Sequence, residues 1–253
     1  MSKPIWLEQF TIHTHEADAN GLARLDSLFS CFQEAAGHHA IDLGVGRNHL
    51  ERQGCFWVLS RCWMQIQQYP RLGQPITVRT WPRDVVRLFA LRDVQFLSQE
   101  GELLGSGVSA WLILSQDKHR LMRPGPIMKD VAPTQEPPVA GDVLEKQAAV
   151  GNLSELRRFS VRYSDLDVNR HVNNAAYVRW ILDSFNAERH DRSEIAAIRI
   201  DYLSETILGE HIDVLAQDLV SDGRQVIVGV RPEGAQPVFQ AAVTWRDRRP
   251  VVP

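Results

Sequence analysis

Apolar residues recur along this chain with two different periods, and the switch between them marks out its elements. Leu25, Leu28, Phe29 and Phe32 follow the i, i+3, i+4, i+7 spacing of a helix with one buried face. A second stripe, Val178, Ile181, Leu182 and Phe185, runs within Ala175 to Phe185, behind two asparagines, Asn173 and Asn174, suited to a helix N-cap. After each helix the period drops to two. Trp57 to Tyr69 alternates, which puts Val58, Cys62, Met64 and Ile66 on one side of a strand, and Ile198, Ile200 and Tyr202 alternate likewise. Further strand-like runs cover Val85 to Leu97, Leu104 to Ser115, Gln225 to Arg231 and Pro237 to Arg246.

The two series are copies of one another. Phe10 to Gly21 lies over Phe159 to Arg170 without a gap, and the match continues into the helices, where Phe29, Phe32 and Ala36 fall on Val178, Ile181 and Phe185. Leu72 to Val78 then matches Leu208 to Val214, and a tryptophan stands late in each copy, Trp111 and Trp245. Each copy thus reads strand, helix, then about four antiparallel strands, and a sheet wrapped around a one-faced helix buries the apolar side of both. The expected fold is α+β, a tandem (double) hot-dog in which each half is a long helix wrapped by an antiparallel sheet. The expected division is 1–122 for the first half, shaping a cavity, and 153–253 for the second, carrying the chemistry. Between them 123–152, rich in proline (Pro124, Pro126, Pro133, Pro137, Pro138), reads as a linker crossing the surface.

Composition narrows the function. With 44% hydrophobic and 23% charged residues, the chain has an ordinary globular make-up. No apolar run approaches the roughly 18 residues that a membrane span needs. The N-terminal sequence enters amphipathic pattern at once, with neither a signal-like h-region nor an Arg/Ser-rich transit peptide, so a soluble cytoplasmic protein is expected. A net charge of −3 argues against a nucleic-acid partner. Cys31, Cys55 and Cys62 are odd in number, lack metal spacing and sit in apolar patterns, so they read as inert core, with no metal and no cofactor expected.

The chemistry concentrates in Asp167-x-Asn169-x-His171, between a strand and a helix; in an extended segment these alternate side chains turn to one side. The sister copy is an internal control. Asp18 and Asn20 match Asp167 and Asn169, so part of the pattern fits an Asx-rich turn. His171, however, falls on Leu22, Arg170 on Gly21, Glu205 on Tyr69 and Thr206 on Pro70. Only the second copy combines carboxylate, amide, imidazole and a further carboxylate, and Glu205, on what reads as an apolar strand, is costly to bury without a role. Other features rank lower. His13 and His15 lack a third metal ligand, His38 and His39 suit the C-terminal dipole of the first helix, and Arg246, Arg248 and Arg249 read as a solvated tail or, second, a contact to an acidic protein face.

Asp165-Leu166-Asp167-Val168-Asn169-Arg170-His171-Val172-Asn173-Asn174, followed by Tyr177-x-x-Trp180-Ile181-Leu182, resembles the signature of acyl-acyl-carrier-protein thioesterases, the plant FatA/FatB type and their bacterial relatives. Ile200 to Thr206 resembles that family's second signature, a strand ending in a site glutamate. Thr206 stands where many plant members carry cysteine, so a cysteine nucleophile does not carry over. The resemblance implies hydrolysis of fatty acyl-acyl carrier protein to free acid, with Asp167, Asn169, His171 and Glu205 as the catalytic set. Glu205 or His171 would activate water, Asp167 would orient His171 or the water, and Asn169 with N–H groups of the following helix would polarise the carbonyl. The partner is acyl carrier protein with its phosphopantetheine-linked acyl chain. Hydrolysis of acyl-CoA, a non-catalytic acyl-binding role and an acyl-glutamate intermediate stay open, as does assembly as monomer or homodimer.

Overall fold

The computed structural model describes residues 2–132, 134–139, 141, 143–145, 147, 151–217, 220, 223–234 and 236–248. The chain forms two compact units, Met1–Leu144 and Glu145–Pro253. In the first, β1 (Trp6–Thr11) leads through a 3-10 turn into the long helix α1 (Leu25–Asp42) and the short α2 (Arg47–Arg52). Strands β2 (Cys55–Ile66), β3 (Pro75–Val86), β4 (Phe89–Leu97) and β5 (Leu103–Ser115) follow. All pair antiparallel in the order β1-β3-β4-β5-β2, and a two-residue β6 (Leu121–Met122) adds to β5 before the single turn of α3 (Pro124–Ile127). The second unit repeats the plan with β7 (Ser154–Ser160), α4 (Asn174–Asp183), α5 (Ala187–Arg192), β8 (Ser193–Tyr202), β9 (His211–Ala216), β10 (Arg224–Val230) and β11 (Pro237–Asp247). Its antiparallel order is β8-β11-β10-β9-β7. Each unit is a hot-dog, a helix laid on the concave side of an antiparallel sheet.

The helices form where the apolar stripes place them. Leu25, Leu28, Phe29, Phe32, Ala35 and Ala36 of α1 are buried, and the helix lies against β3, whose Ile76 and Val78 are buried as well. In α4 the Asn173 side chain caps the helix by accepting from the Ala175 N–H at 2.9 Å. Tyr177, Val178, Trp180 and Ile181 are buried, and the Tyr177 ring meets Phe239 and Tyr202 edge-on at 5.6 and 5.5 Å.

Two sequence expectations shift by local geometry. The pairing of β2 with β5 slips between Leu59 and Arg61. That bulge turns Leu59, not Val58, to the helix side with Cys62, Met64 and Ile66. The run Val85 to Leu97 is broken in the structure: β3 continues to Val86, and the chain reverses through Arg87, whose φ is +58°. No glycine, proline or asparagine marks that turn, so periodicity alone runs through it.

Part of the proline-rich stretch lies across the outer face of the first sheet; Pro133 falls outside the described residues. Val143 packs on Leu91, Val108 and Ala110. Arg79 pairs with Glu136 at 2.8 Å, and Arg83 bridges the Asp93 carboxylate and the Val139 carbonyl, both at 2.6 Å. At Gly141 a Cβ would stand 2.4 Å from the Trp63 ring, so only glycine lets the chain pass there.

His39 stands in the last turn of α1, as the dipole reading expects, but it also has partners of its own. It is fully buried, stacked on Trp6. Its Nε2 donates to the Lys3 carbonyl at 2.8 Å, so Nδ1 must be the lone-pair nitrogen that accepts from the Arg92 guanidinium at 3.0 Å. Burial, then the Arg92 charge, depress its pKa from 6.5 to about 4. Because the unfolded chain holds this proton more tightly, the associated stability is complete above about pH 6.5 and is lost as pH falls toward 4. One such group gives a slope of at most about 1.4 kcal/mol per pH unit. Urea unfolding of wild type and His39→Gln across that window should show a shallower acid slope in the variant; equal slopes would remove His39 from the acid response.

Candidate active site

The site lies at one corner of the second unit, where the turn entering α4 meets the loop leaving β8. Backbone hydrogen bonds close the first of these. The Asp167 N–H donates to the His171 carbonyl at 2.8 Å, the Arg170 N–H to the Asp167 carbonyl at 3.1 Å, and Leu166 bridges Val172. The segment from Asp167 to His171 is therefore a tight reversal and not the extended run expected from its alternation. The cause is the Asp167 carboxylate. Its Oδ1 accepts from the backbone N–H groups of Asn169 and His171 at 2.8 and 3.2 Å, an Asx turn that bends the chain. Arg170 closes the reversal with φ +66°, where the first copy has Gly21 at φ +72°.

The first copy makes the same turn with the same bonds. Asp18 Oδ1 accepts from Asn20 and Leu22 at 2.8 and 3.0 Å, and the Asp18 N–H donates to the Leu22 carbonyl at 2.7 Å. The second loop is also matched. Val172 donates to the Thr206 carbonyl at 2.9 Å as Ala23 does to Pro70 at 2.8 Å, and the bridge His171–Ile207 repeats Leu22–Arg71. The backbone thus brings the same two positions together in either copy. What differs is what stands there: leucine and tyrosine in one, His171 and Glu205 in the other.

His171 Nε2 lies 3.5 Å from Glu205 Oε2, with side chains 31% and 40% exposed. Contrary to the expectation of an apolar strand, β8 ends at Tyr202, and Glu205 sits on the open loop, where its charge needs no burial. Asn169 is exposed, and its amide reaches the Asp167 Oδ2 at 3.4 Å. Asp167 acts on His171 through the backbone N–H of that residue. The N–H groups of Ala175 and Ala176 are both taken by Asn173, so at this helix start they serve the cap. Asp165, buried, accepts from the Arg162 N–H and pairs with Arg179, which fixes the approach to the turn. Among the demoted features, Arg246 is held by Glu194 at 2.6 Å, and Arg249 lies outside the described residues. Burial raises the Cys31 thiol to about 12, and it also raises those of Cys55 and Cys62.

Sequence reasoning passed over the residues that hold the Glu205 loop. Arg231, just past β10, grips Glu210 through Nε–Oε1 at 2.9 Å and Nη2–Oε2 at 3.1 Å. The same guanidinium donates to the Glu205 carbonyl at 2.6 Å and to Ser204 Oγ at 3.3 Å. Burial opposes ionisation of Glu210, yet the Arg231 contact and the Ile207 N–H outweigh it and hold its carboxyl below the usual range. Beneath the loop, Thr206 is fully buried, beside the Tyr177 hydroxyl. Burial lifts the Tyr177 hydroxyl to about 12, so it stays a neutral donor. The signal available in the sequence was Glu210 standing where the repeat has Gln74.

Comparison with known proteins bears on the whole chain. The family profile described as acyl-ACP thioesterase N-terminal domain matches residues 4–132, and that of the C-terminal domain matches 150–247. Oleoyl-acyl carrier protein thioesterase 1, chloroplastic, of Arabidopsis thaliana is 28% identical over 82% of this chain and 62% of its own length. The palmitoyl-acyl carrier protein thioesterase of Cuphea hookeriana is 24% identical over 98% of this chain and 64% of its own. The chain thus spans about 62% of the first of these plant relatives. Among solved structures, an acyl-ACP thioesterase from Bacteroides thetaiotaomicron superposes with a TM-score of 0.86 at 25% identity, covering 96% of this chain and 98% of that one. The 12:0-ACP thioesterase from Umbellularia californica gives 0.85 at 20% identity, over 98% and 96%, and shares the fold.

If Asp18 and Asp167 both build turns, alanine at either should cost about 1–2 kcal/mol of stability, as expected for a partly exposed carboxylate accepting two N–H bonds. Urea denaturation of Asp18→Ala and Asp167→Ala measures this, and a negligible cost at both would deny the carboxylates that role.

Proposed function

The chain belongs to the acyl-ACP thioesterase family, and we propose from its site that it hydrolyses the thioester between a fatty acyl chain and the phosphopantetheine arm of acyl carrier protein. The observation that carries this reading is the His171–Glu205 pair at 3.5 Å, set on a backbone corner that the sister copy keeps with Leu22 and Tyr69 in their place. An acyl-binding protein has no need of that charge difference. The carrier is read from the relatives, which are named for acyl carrier protein thioesters.

In the neutral imidazole one nitrogen donates and the other accepts. With Nε2–H turned to the Glu205 carboxylate, Nδ1 carries the lone pair and is the nitrogen that takes a proton from water. The hydroxide oxygen bonds to the thioester carbonyl carbon, and the C–S bond breaks as the tetrahedral intermediate collapses. The proton held by His171 passes to the departing sulfur, giving free acid and carrier thiol. Glu205 orients the ring and stabilises the imidazolium between these steps. The Asn169 amide, exposed on the same turn as His171, is the donor suited to the carbonyl oxygen. Asp167 holds the turn on which both Asn169 and His171 stand. The reading includes a cytoplasmic setting, in keeping with three buried thiols that form no disulfide, and assembly as a monomer or homodimer. Among the described residues no helix is long and apolar enough to cross a membrane.

Release of free fatty acid from a panel of acyl carrier protein and CoA thioesters tests the proposal. His171→Ala should lower turnover by about 10²–10⁴-fold, the range of a lost general base, with Glu205→Ala also impaired and both variants folded. Variants that kept near wild-type rates would remove these residues from the site. Preference for CoA thioesters would reassign the carrier, and tight binding without release would convert the protein to an acyl-binding one.

A further inference from the structure

The geometry points to Arg231 and Glu210 as positioning residues for the reaction, a clamp that fixes the Ser204-to-Glu210 loop so that Glu205 stands against His171. This rests on the thioesterase reading above and deepens it at the same site. The loop crosses from β8 to β9, and both of its ends are tied to one side chain. Arg231 Nη2 holds the Glu205 carbonyl at 2.6 Å, which fixes the peptide following the residue whose carboxylate faces His171. Its Nη1 reaches Ser204 Oγ at 3.3 Å, one residue earlier. Nε and Nη2 hold the Glu210 carboxylate in a bidentate fork at the far end. Glu210 in turn accepts from the Ile207 N–H at 3.0 Å, and Ile207 is the bridge partner of His171. One guanidinium thereby ties the carboxylate's backbone to the backbone position opposite the imidazole.

The sister copy shows that the loop does not need this clamp in order to fold. Gln74 occupies the place of Glu210, and its Oε1 accepts from the Arg71 N–H at 2.9 Å, the same turn bond made without a charge. The register gives the counterpart of Arg231. Val214 pairs Gly229 as Val78 pairs Phe96, so the position two residues further on is Arg231 in one copy and Ser98 in the other. Ser98 is committed to its own turn, accepting from Glu100 and Glu102, and donates nothing to the matching loop there. The underside differs in the same sense. Tyr177 and Thr206, two hydroxyls, stand where the first copy has Leu28 and the buried Pro70. The copy that carries His171 and Glu205 thus also carries a cation, its carboxylate and a polar floor beneath the loop. The matching turn of the first copy closes without them. A 3.5 Å contact between two half-exposed side chains is easily lost, and the clamp supplies the rigidity that burial does not.

The test gives the second copy the first copy's residues. Arg231→Ser/Glu210→Gln, Arg231→Lys and wild type are compared for kcat and KM on acyl carrier protein thioesters, for urea midpoint, and for amide hydrogen exchange over residues 204–210. Expected for the double variant is a kcat lower by about 10–100-fold, the scale of an ångström-level misplacement, with KM within about threefold and the midpoint close to wild type. Exchange should quicken in the loop alone. Arg231→Lys should recover part of kcat, because an ammonium keeps the charge but loses the fork. An active wild type whose double variant keeps kcat within twofold overturns the clamp. So does a loss of kcat that merely follows a falling midpoint. A wild type that releases no acid from any thioester fails the functional reading itself and takes this inference with it.

Discussion

The corner where two loops of one hot-dog unit are zipped by backbone hydrogen bonds is the constraint on which the site depends. A helix entering across a sheet must turn sharply at its start, and the neighbouring strand must turn beside it. The bonds from Val172 to Thr206 and from Ala23 to Pro70 join those turns identically in the two units. The fold therefore guarantees that a residue from each loop will meet, whatever its side chain. Chemistry at the second corner then costs the fold little, since substitution there leaves the backbone pairing and the apolar faces of α1 and α4 untouched. His171 and Glu205 are additions to a scaffold that closes equally well around leucine and tyrosine.

This separation between scaffold and side chain explains what the sequence made legible. Helices and most strands are encoded redundantly, by several apolar residues each, so Leu25 to Phe32 and Val178 to Ile181 mark them without ambiguity. The Asn173 cap is a one-residue rule that held. The repeat exposed the unequal corner before any coordinates, because losing His171 and Glu205 in one copy is visible as text. Geometry that depends on a single residue was not legible in the same way. The bulge before Arg61 reverses which of Val58 and Leu59 faces inward, and no composition signals it. Asp167 reads equally well as the third member of a triad or the pivot of a turn; only the two N–H groups at its Oδ1 separate these. The alternation of Ile198 to Tyr202 points to a strand that reaches Glu205, but alternation does not say where a strand stops, and β8 stops at Tyr202.

Charge placement was the least legible property of all. The chain carries 28 basic residues, nearly all arginine, and sequence cannot say which are surface and which are structural. The structure gives three of them distinct work. Arg92 is buried against His39 and Thr80, where desolvation lowers its pKa to about 10. Arg83 fastens a crossing segment to the sheet through Asp93 and Val139, and Arg231 gathers a loop. In each case the planar fork reaches carbonyl, carboxylate or imidazole groups from several directions, which a lysine ammonium does less well.

The segment laid over the first sheet means that the break visible in the amino-acid composition is not the edge of the first compact unit. The proline-rich run begins near Arg123, yet the first compact unit extends to Leu144. A first half severed at the compositional boundary would uncover Leu91, Val108 and Ala110 together and would leave the Asp93 carboxylate without the Val139 N–H that it accepts. Such a fragment would present an apolar stripe on open sheet, the kind of surface that recruits other chains. A first-half fragment keeps this cover only if it runs some twenty residues past the start of the prolines, to Leu144.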